Sequence, residues 1–172
     1  MLKSVWPRPH SDYANSPDTM SRDSLPIGRA NRIADAVEAM ENLVTQLRAH
    51  QELSHEEYTD PTAQDRRDAI ERKFVKLTEA TLDIATELCK QESGTDTPPE
   101  RRKAQIEYLA SEDIIDAELA EQLKEAVGFR DVLAHTYGPI VNDDIVYDAL
   151  QNSLERYIAF VEAVDRYLQE MA

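Results

Sequence analysis

The sequence is poor in several residue types, and each shortage excludes a class of protein. Of its 172 residues, one is cysteine, four are glycine and 6% are aromatic. A single cysteine cannot build a disulfide framework or a cysteine-rich zinc site, so we expect Cys89 to fill a small space in the core. The long stretches rich in alanine, leucine, glutamate, arginine and glutamine leave little that favours β-strands. The sequence therefore predicts an all-α protein.

Long apolar runs are also missing. No stretch of 18 apolar residues is present, which excludes a membrane-spanning helix. Residues 1–17 lack the apolar centre of a signal peptide, so we expect a cytoplasmic protein. Residues 1–26 contain half of the eight prolines and show no periodicity, which predicts a disordered N-terminal extension before a helical domain at 27–172. Met20 is an alternative to Met1 as the start codon.

Positive charge is scarce as well. The chain has 34 acidic and 19 basic residues, a formal net charge of −15 and a pI near 4.6. A protein that binds RNA ordinarily carries a basic field, because phosphate contacts supply most nonspecific affinity. The acidic residues are spread along every segment, which suits a cytoplasm of high salt, where charge repulsion is strongly screened. A halophilic origin is therefore our hypothesis, and lower stability in molar KCl than in dilute buffer would count against it.

Apolar residues that recur at steps of three and four predict an antiparallel bundle of four to five main helices. We place these helices at about residues 28–51, 61–91, 99–111, 116–136 and 142–171. Ser54 and Glu57 form a capping-box pattern, which predicts a short helical turn between the first two. The charged run at residues 66–73 is typical of a solvated helix face.

The stretch whose side chains are best suited to catalysis is GFRDVLAHTYGP, residues 128–139. At about 100° per residue, Arg130 and Tyr137 share a helix face, while Asp131 and His135 are four residues apart and can touch. An arginine binds phosphate with a planar fork of donors, and an imidazole transfers protons near neutral pH. A carboxylate beside His135 would fix its tautomer and favour its charged form. These groups suit phosphodiester chemistry without a metal.

The same residues admit structural interpretations. Arg130 could simply pair with Asp131 or with an acid on a facing helix, and Tyr137 could be a core aromatic with its hydroxyl at the surface. A lone histidine near a helix end is often a capping residue. Gly128 costs roughly 1 kcal/mol relative to alanine inside a helix, so we expect close packing or substrate approach beside Arg130.

The segment FRDVLAHTY, residues 129–137, resembles the signature of HEPN-domain proteins, which is an arginine, a polar residue, several mostly apolar residues and a histidine. With the tyrosine two places on, it is most similar to the HepT toxins of the HepT/MntA (type VII) toxin–antitoxin systems. The likeness covers about residues 28–170 and includes Asp60-Pro61 at the start of the second helix and the run IEYLASEDIIDAELAEQLKEAVGFR.

This resemblance implies a HEPN-type bundle that forms a homodimer, in which the two Arg-His motifs face each other across a cleft and cut RNA without a metal or cofactor. It implies that Arg130 and His135 are the catalytic pair and that Asp131 supports them. It further implies that an MntA-like minimal nucleotidyltransferase antitoxin silences the toxin by transferring AMP to Tyr137. We expect no DNA substrate and no membrane. Many relatives have asparagine where Asp131 stands.

Two other functions remain open at this point. The chain could be a non-catalytic helical subunit that binds nucleotide or partner in a two-chain nucleotidyltransferase, a role that the acidic surface mildly favours. It could also be a plain structural dimerisation bundle. Cleavage of cellular RNA by the wild type but not by His135→Ala would distinguish the toxin from both of these. A cheaper observation is whether the neighbouring gene encodes a small nucleotidyltransferase.

Overall fold

The computed structural model describes residues 24–135 and 142–171, and these two ranges are helical and contain no strand. The predicted all-α class is therefore confirmed. The helices are α1 (Ile27–Arg48), α2 (His55–Thr59), α3 (Gln64–Ser93), α4 (Arg102–Ser111), α5 (Ala117–His135), α6 (Asp143–Asn152) and α7 (Glu155–Met171), with a 3-10 turn at Pro61–Ala63 before α3.

The long helices pack side by side around one core. α1 runs antiparallel to α3, because Arg29 at the start of α1 meets Glu87 near the end of α3. α5 contacts α3, α4 and α7, and α7 closes the bundle against α1. The largest fully buried side chains come from most of these helices: Tyr58, Tyr157, Phe74, Phe160, Ile33, Met40, Leu47, Ile70, Leu77, Ile84, Leu88 and Ile106. Cys89 is fully buried, as predicted.

Local sequence signals set the ends of α2 and α3. The capping box is complete, since the Glu57 amide donates to Ser54 Oγ at 3.1 Å and the Ser54 amide donates to Glu57 Oε1 at 3.0 Å. Asp60 then accepts a hydrogen bond from the Thr62 amide at 2.8 Å. α3 ends at Gly94, whose φ of 69° lies in the left-handed region that glycine tolerates best.

The predicted last helix is wrong in one respect, because it is interrupted at Ser153 and divides into α6 and α7. Serine and asparagine side chains compete with the backbone for hydrogen bonds, and Asn152-Ser153 places one of each at the break. The buried face of α6 consists of Val146, Ala149 and Leu150. Ile145 belongs to the same helix but is 57% exposed, although its side chain is apolar. The start predicted near residue 99 is also early, since α4 begins at Arg102.

Arg67 departs from the prediction that residues 66–73 form a solvated face. Its side chain is buried, and its Nη1 donates to the carbonyl oxygens of Tyr58 at 2.8 Å and Asp60 at 2.7 Å. A guanidinium has enough donors to satisfy backbone carbonyls that a short helix leaves without partners. Arg67 therefore ties α2 to α3 and has a structural role.

Several predictions concern residues beyond the described ranges. Residues 1–23 of the predicted N-terminal extension lie outside them, and so do Tyr137 and the predicted end of the fourth helix near residue 136. α1 begins at Ile27, one residue before the helix start predicted near residue 28. Within the part of the chain that is described, no helix combines the length and the apolar character that crossing a bilayer requires.

Candidate active site

The C-terminal end of α5 carries Arg130, Asp131 and His135, three of the four predicted site residues. The buried side chains Leu119, Ala120, Leu123, Ala126 and Val127 fix this helix against the core. Directly before Arg130, the Phe129 ring packs edge-on against Phe74 of α3, with ring centroids 5.5 Å apart. The backbone that presents the motif is therefore anchored up to its last turn.

Arg130 bridges α5 and α3 through two carboxylates. Its Nη2 donates to Glu79 Oε1 at 2.8 Å, and its Nη1 donates to Asp131 Oδ1 at 3.0 Å. The hydrogen bonds to Glu79 and Asp131 raise the pKa of Arg130 above its ordinary value, so the side chain stays cationic. Its Nε is buried and has no hydrogen-bond partner in the part of the chain that the structure describes.

Exposure decides how firmly Arg130 is held. The side chains of Glu79 and Asp131 are 48% and 53% exposed, and solvent-exposed ion pairs of this kind contribute only about 0.2–1 kcal/mol each. A phosphate, which arginine binds through charge-assisted paired hydrogen bonds, can therefore compete with either carboxylate. Arg130 is oriented at the surface but remains available to an anion.

The predicted contact between Asp131 and His135 is absent. Asp131 turns towards Arg130 instead, and no hydrogen bond joins it to His135 within the described ranges, although both residues belong to them. His135 is exposed on the last turn of α5. The tautomer of this histidine is consequently not set by Asp131 in this structure.

Arg130 and His135 point in different directions. Five residues at about 100° each separate them by about 140° around the helix axis. Arg130 points towards Glu79 on α3, whereas His135 lies on the exposed side of α5. One copy of the chain thus provides a cation and an imidazole but does not bring them to one point.

Gly128 faces a lysine of the neighbouring helix. A Cβ built on Gly128 would lie 3.9 Å from the Nζ of Lys103, which belongs to the first turn of α4. This is an ordinary contact distance, so the close packing that we expected beside Arg130 is not found among the described residues. The lysine lies about 160° around the helix from Arg130. It lies on the side of α5 that carries His135.

An apolar cavity of about 300 Å³ lies between α5 and α6. Val132 and Ile145 line it, and both are more than half exposed. Arg156, Asp148 and Glu125 also border the cavity. It adjoins the motif helix, but its lining offers packing surface and no group poised for bond cleavage.

The side chain of Glu79 is the site component that sequence reasoning could not name. It is 51 residues from Arg130 in the chain, and nothing distinguishes it in sequence from the other acidic residues.

For metal binding, the described ranges contain no group of three histidine, cysteine, aspartate or glutamate side chains arranged to hold an ion.

Comparison with known proteins identifies related sequences and folds. Residues 33–164 match the family described as Ribonuclease HepT-like. Over 98 residues the chain is 29% identical to the mRNA nuclease HepT of Shewanella oneidensis, a match that covers 56% of this chain and 71% of that protein.

Two solved structures resemble the fold. A crystal structure of a toxin–antitoxin complex with AMP-PNP matches with a TM-score of 0.68 and 22% identity, over 79% of this chain and 98% of that one. A tri-AMPylated HEPN toxin of Shewanella oneidensis, in complex with an MNT antitoxin, matches over the same shares with a TM-score of 0.63 and 20% identity. These likenesses confirm the predicted HEPN-type bundle.

Proposed function

Because this chain belongs to the ribonuclease HepT-like family, we propose that it is a metal-independent endoribonuclease toxin with Arg130 and His135 as its catalytic pair. The observation that carries the proposal is the state of Arg130. It is a cation held in place by two exposed carboxylates, five residues before an exposed imidazole. This arrangement suits a site that must capture a phosphate and move a proton.

Arg130 binds the scissile phosphate in this mechanism. The incoming phosphate takes the place of one exposed carboxylate, and the guanidinium offsets the charge that builds on the nonbridging oxygens in the transition state. The other carboxylate keeps the side chain in its orientation. Asp131 therefore supports the site through Arg130 and not, as we expected from its spacing, through His135.

His135 moves the proton. A neutral imidazole accepts the proton of a ribose 2′-OH, and a charged one gives a proton to the 5′-oxygen as that oxygen leaves phosphorus. The exposure of His135 leaves its ring accessible to a bound strand. One histidine cannot be neutral and protonated at the same time. Two histidines in one site can therefore act as general base and general acid in the same reaction.

A homodimer supplies the second histidine. The divergence of about 140° between Arg130 and His135 means that each copy directs its two groups to different places. Two copies with facing motif helices would bring the arginine of one towards the histidine of the other. The dimer expected from the resemblance is thus part of the proposed site, and the divergence of the two side chains supports it.

An MntA-like nucleotidyltransferase antitoxin would switch the enzyme off by attaching AMP to Tyr137. The names of the solved relatives support this regulation, since they include a tri-AMPylated HEPN toxin with an MNT antitoxin and a toxin–antitoxin complex with AMP-PNP. Tyr137 follows His135 by two residues, so an attached AMP would add bulk and negative charge next to the catalytic groups. The modified toxin would then repel RNA.

A second candidate function is a non-catalytic subunit of a two-chain nucleotidyltransferase. One observation favours it: the net charge of −15 opposes RNA binding. In that case Arg130 and His135 would contact nucleotide without cutting RNA.

Purified protein incubated with total cellular RNA separates the two candidates. We expect the wild type to cut RNA in the presence of a chelator and His135→Ala to lose cleavage by at least about a hundredfold, the usual size of a general acid–base contribution. Undiminished cleavage by His135→Ala would remove His135 from the mechanism. If neither protein cuts RNA, the binding subunit becomes the better account.

A further inference from the structure

Three cations stand together at the start of α4. Arg101, Arg102 and Lys103 are the one run of three consecutive basic residues in the sequence. All three are exposed. In the described ranges none of them forms an ion pair, although Lys124, Arg130 and Arg156 on nearby helices each do.

The fold brings the end of this basic run next to the exposed side of the motif helix. The Nζ of Lys103 lies 3.9 Å from the position of a Cβ on Gly128. Gly128 and His135 are seven residues apart, so they lie within about 20° of each other around α5 and about 10 Å apart along its axis. Lys103 and His135 therefore border the same exposed face.

The bare backbone at Gly128 keeps this face open. A long side chain at residue 128 would occupy the space over which the Lys103 ammonium lies, whereas glycine leaves it free. An ammonium without a carboxylate partner does not need to give up an ion pair before it meets a phosphate. In a chain with a net charge of −15, an exposed cation that has no carboxylate partner in the described ranges is suited to bind an RNA phosphate.

We infer that Lys103, over Gly128, binds the RNA backbone beside His135 and contacts a phosphate that neighbours the scissile one. The inference rests on the proposed ribonuclease function and adds the surface that positions the strand. Contacts to phosphates fix the register of a nucleic acid on a protein without reading its sequence. Lys103 is thus a positioning residue.

Steady-state cleavage of a defined single-stranded RNA tests this, with wild type, Lys103→Gln, Lys103→Arg and the matched control Arg166→Gln. Arg166 is an exposed cation on α7 that forms no ion pair with the described residues. We expect Lys103→Gln to raise KM about threefold to tenfold with kcat unchanged, and Lys103→Arg to restore KM. Removing one phosphate contact should also reduce the slope of log(kcat/KM) against log salt by about 0.7.

Two results would overturn the inference: an unchanged KM in Lys103→Gln, or an equal rise of KM in Arg166→Gln. If the Lys103→Gln protein with an unchanged KM also fails to bind the antitoxin, the surface belongs to a protein partner. Equal thermal midpoints for the four proteins show that folding does not cause the differences. His135→Ala, assayed in parallel, shows separately whether the proposed function fails.

Discussion

α3 carries two arginine–carboxylate clusters, one in its middle and one near its C-terminal end. They differ mainly in burial. Near the end of α3, Glu87 accepts hydrogen bonds from Arg29 at 3.1 Å and Arg32 at 2.8 Å, and the side chains of Arg29 and Glu87 are only 4% and 10% exposed. In the middle of α3, Glu79 accepts one from Arg130 at 2.8 Å, where both partners have substantial contact with solvent.

The comparison shows why the same pair of residue types can hold a fold in one place and serve chemistry in another. Arg29 also donates to Gln91 at 2.8 Å, so its buried guanidinium is satisfied by fixed partners and cannot turn towards a ligand. Without Glu87, the buried Arg29 would keep only one carboxylate partner, Asp96 at 3.4 Å, whose side chain is 75% exposed. Arg130 has partners that water already screens, and replacing one of them with a phosphate costs little.

The largest expected effect is on stability at the buried cluster. We expect Glu87→Ala to lower the free energy of unfolding by up to about 3–5 kcal/mol, because it leaves the buried Arg29 with the exposed Asp96 as its one carboxylate partner among the described residues. Urea denaturation at pH 7 measures this loss. A loss below about 1 kcal/mol would remove the distinction between the two clusters.

The second-largest expected effect is the pH dependence of the stability that the buried cluster contributes. Burial tends to raise the pKa of Glu87, but the hydrogen bonds from Arg32 and Arg29 and the charges of Arg32 and Lys90 outweigh it, so that pKa lies below its ordinary value of 4.5. A lowered pKa means that the cluster stabilises the protein fully above about pH 4.5 and loses this effect as the pH falls through the folded-state value.

Glu87→Gln provides the measurement. We expect wild type to exceed this variant in unfolding free energy by about 1–3 kcal/mol at pH 7 and the difference to shrink below pH 4.5. Glu79→Gln is the control. Because the Glu79 side chain is 48% exposed, loss of its ion pair with Arg130 should give no comparable change in unfolding free energy. A difference that is constant from pH 7 to pH 3 would contradict the assigned ionisation.

Gly128→Ala should stabilise the protein by up to about 1 kcal/mol. Alanine has the higher helix propensity, and the added Cβ would meet Lys103 Nζ at an ordinary contact distance of 3.9 Å. Thermal unfolding checks this prediction. A destabilised variant would show that the motif end of α5 is packed as tightly as the buried cluster, which would weaken the comparison.

Glu79→Ala should have the smallest effect on stability, less than about 1 kcal/mol, since it removes an exposed ion pair. Glu79 and Glu87 are the same residue type on the same helix, and each pairs with an arginine from another helix. Unfolding measurements under the same conditions therefore compare them directly. Equal losses in Glu79→Ala and Glu87→Ala would mean that burial does not separate the clusters.

Local patterns predicted much of this molecule, because they determine where helices begin, end and bury a face. The capping box at Ser54 and Glu57 and the burial of Cys89 follow from such patterns. The resemblance to HepT proteins then directed attention to Arg130 and His135, which a periodicity argument alone could not have distinguished from an ion pair and a capping residue.

Contacts between distant parts of the chain were beyond sequence reasoning. Glu79 and Arg130 are separated by 51 residues, and no local pattern links them. The interruption at Ser153 was missed because the apolar stripe continues across it. Arg67 lies within a charged run, and only the fold shows that its guanidinium is buried against carbonyl groups of α2 and of Asp60.

The most direct test of the account is RNA cleavage by Arg130→Ala, measured together with its unfolding free energy. We predict that cleavage falls by at least about a hundredfold while stability changes by less than about 1 kcal/mol, because Arg130 belongs to the exposed cluster. Cleavage at the wild-type rate by a folded Arg130→Ala protein would contradict the account.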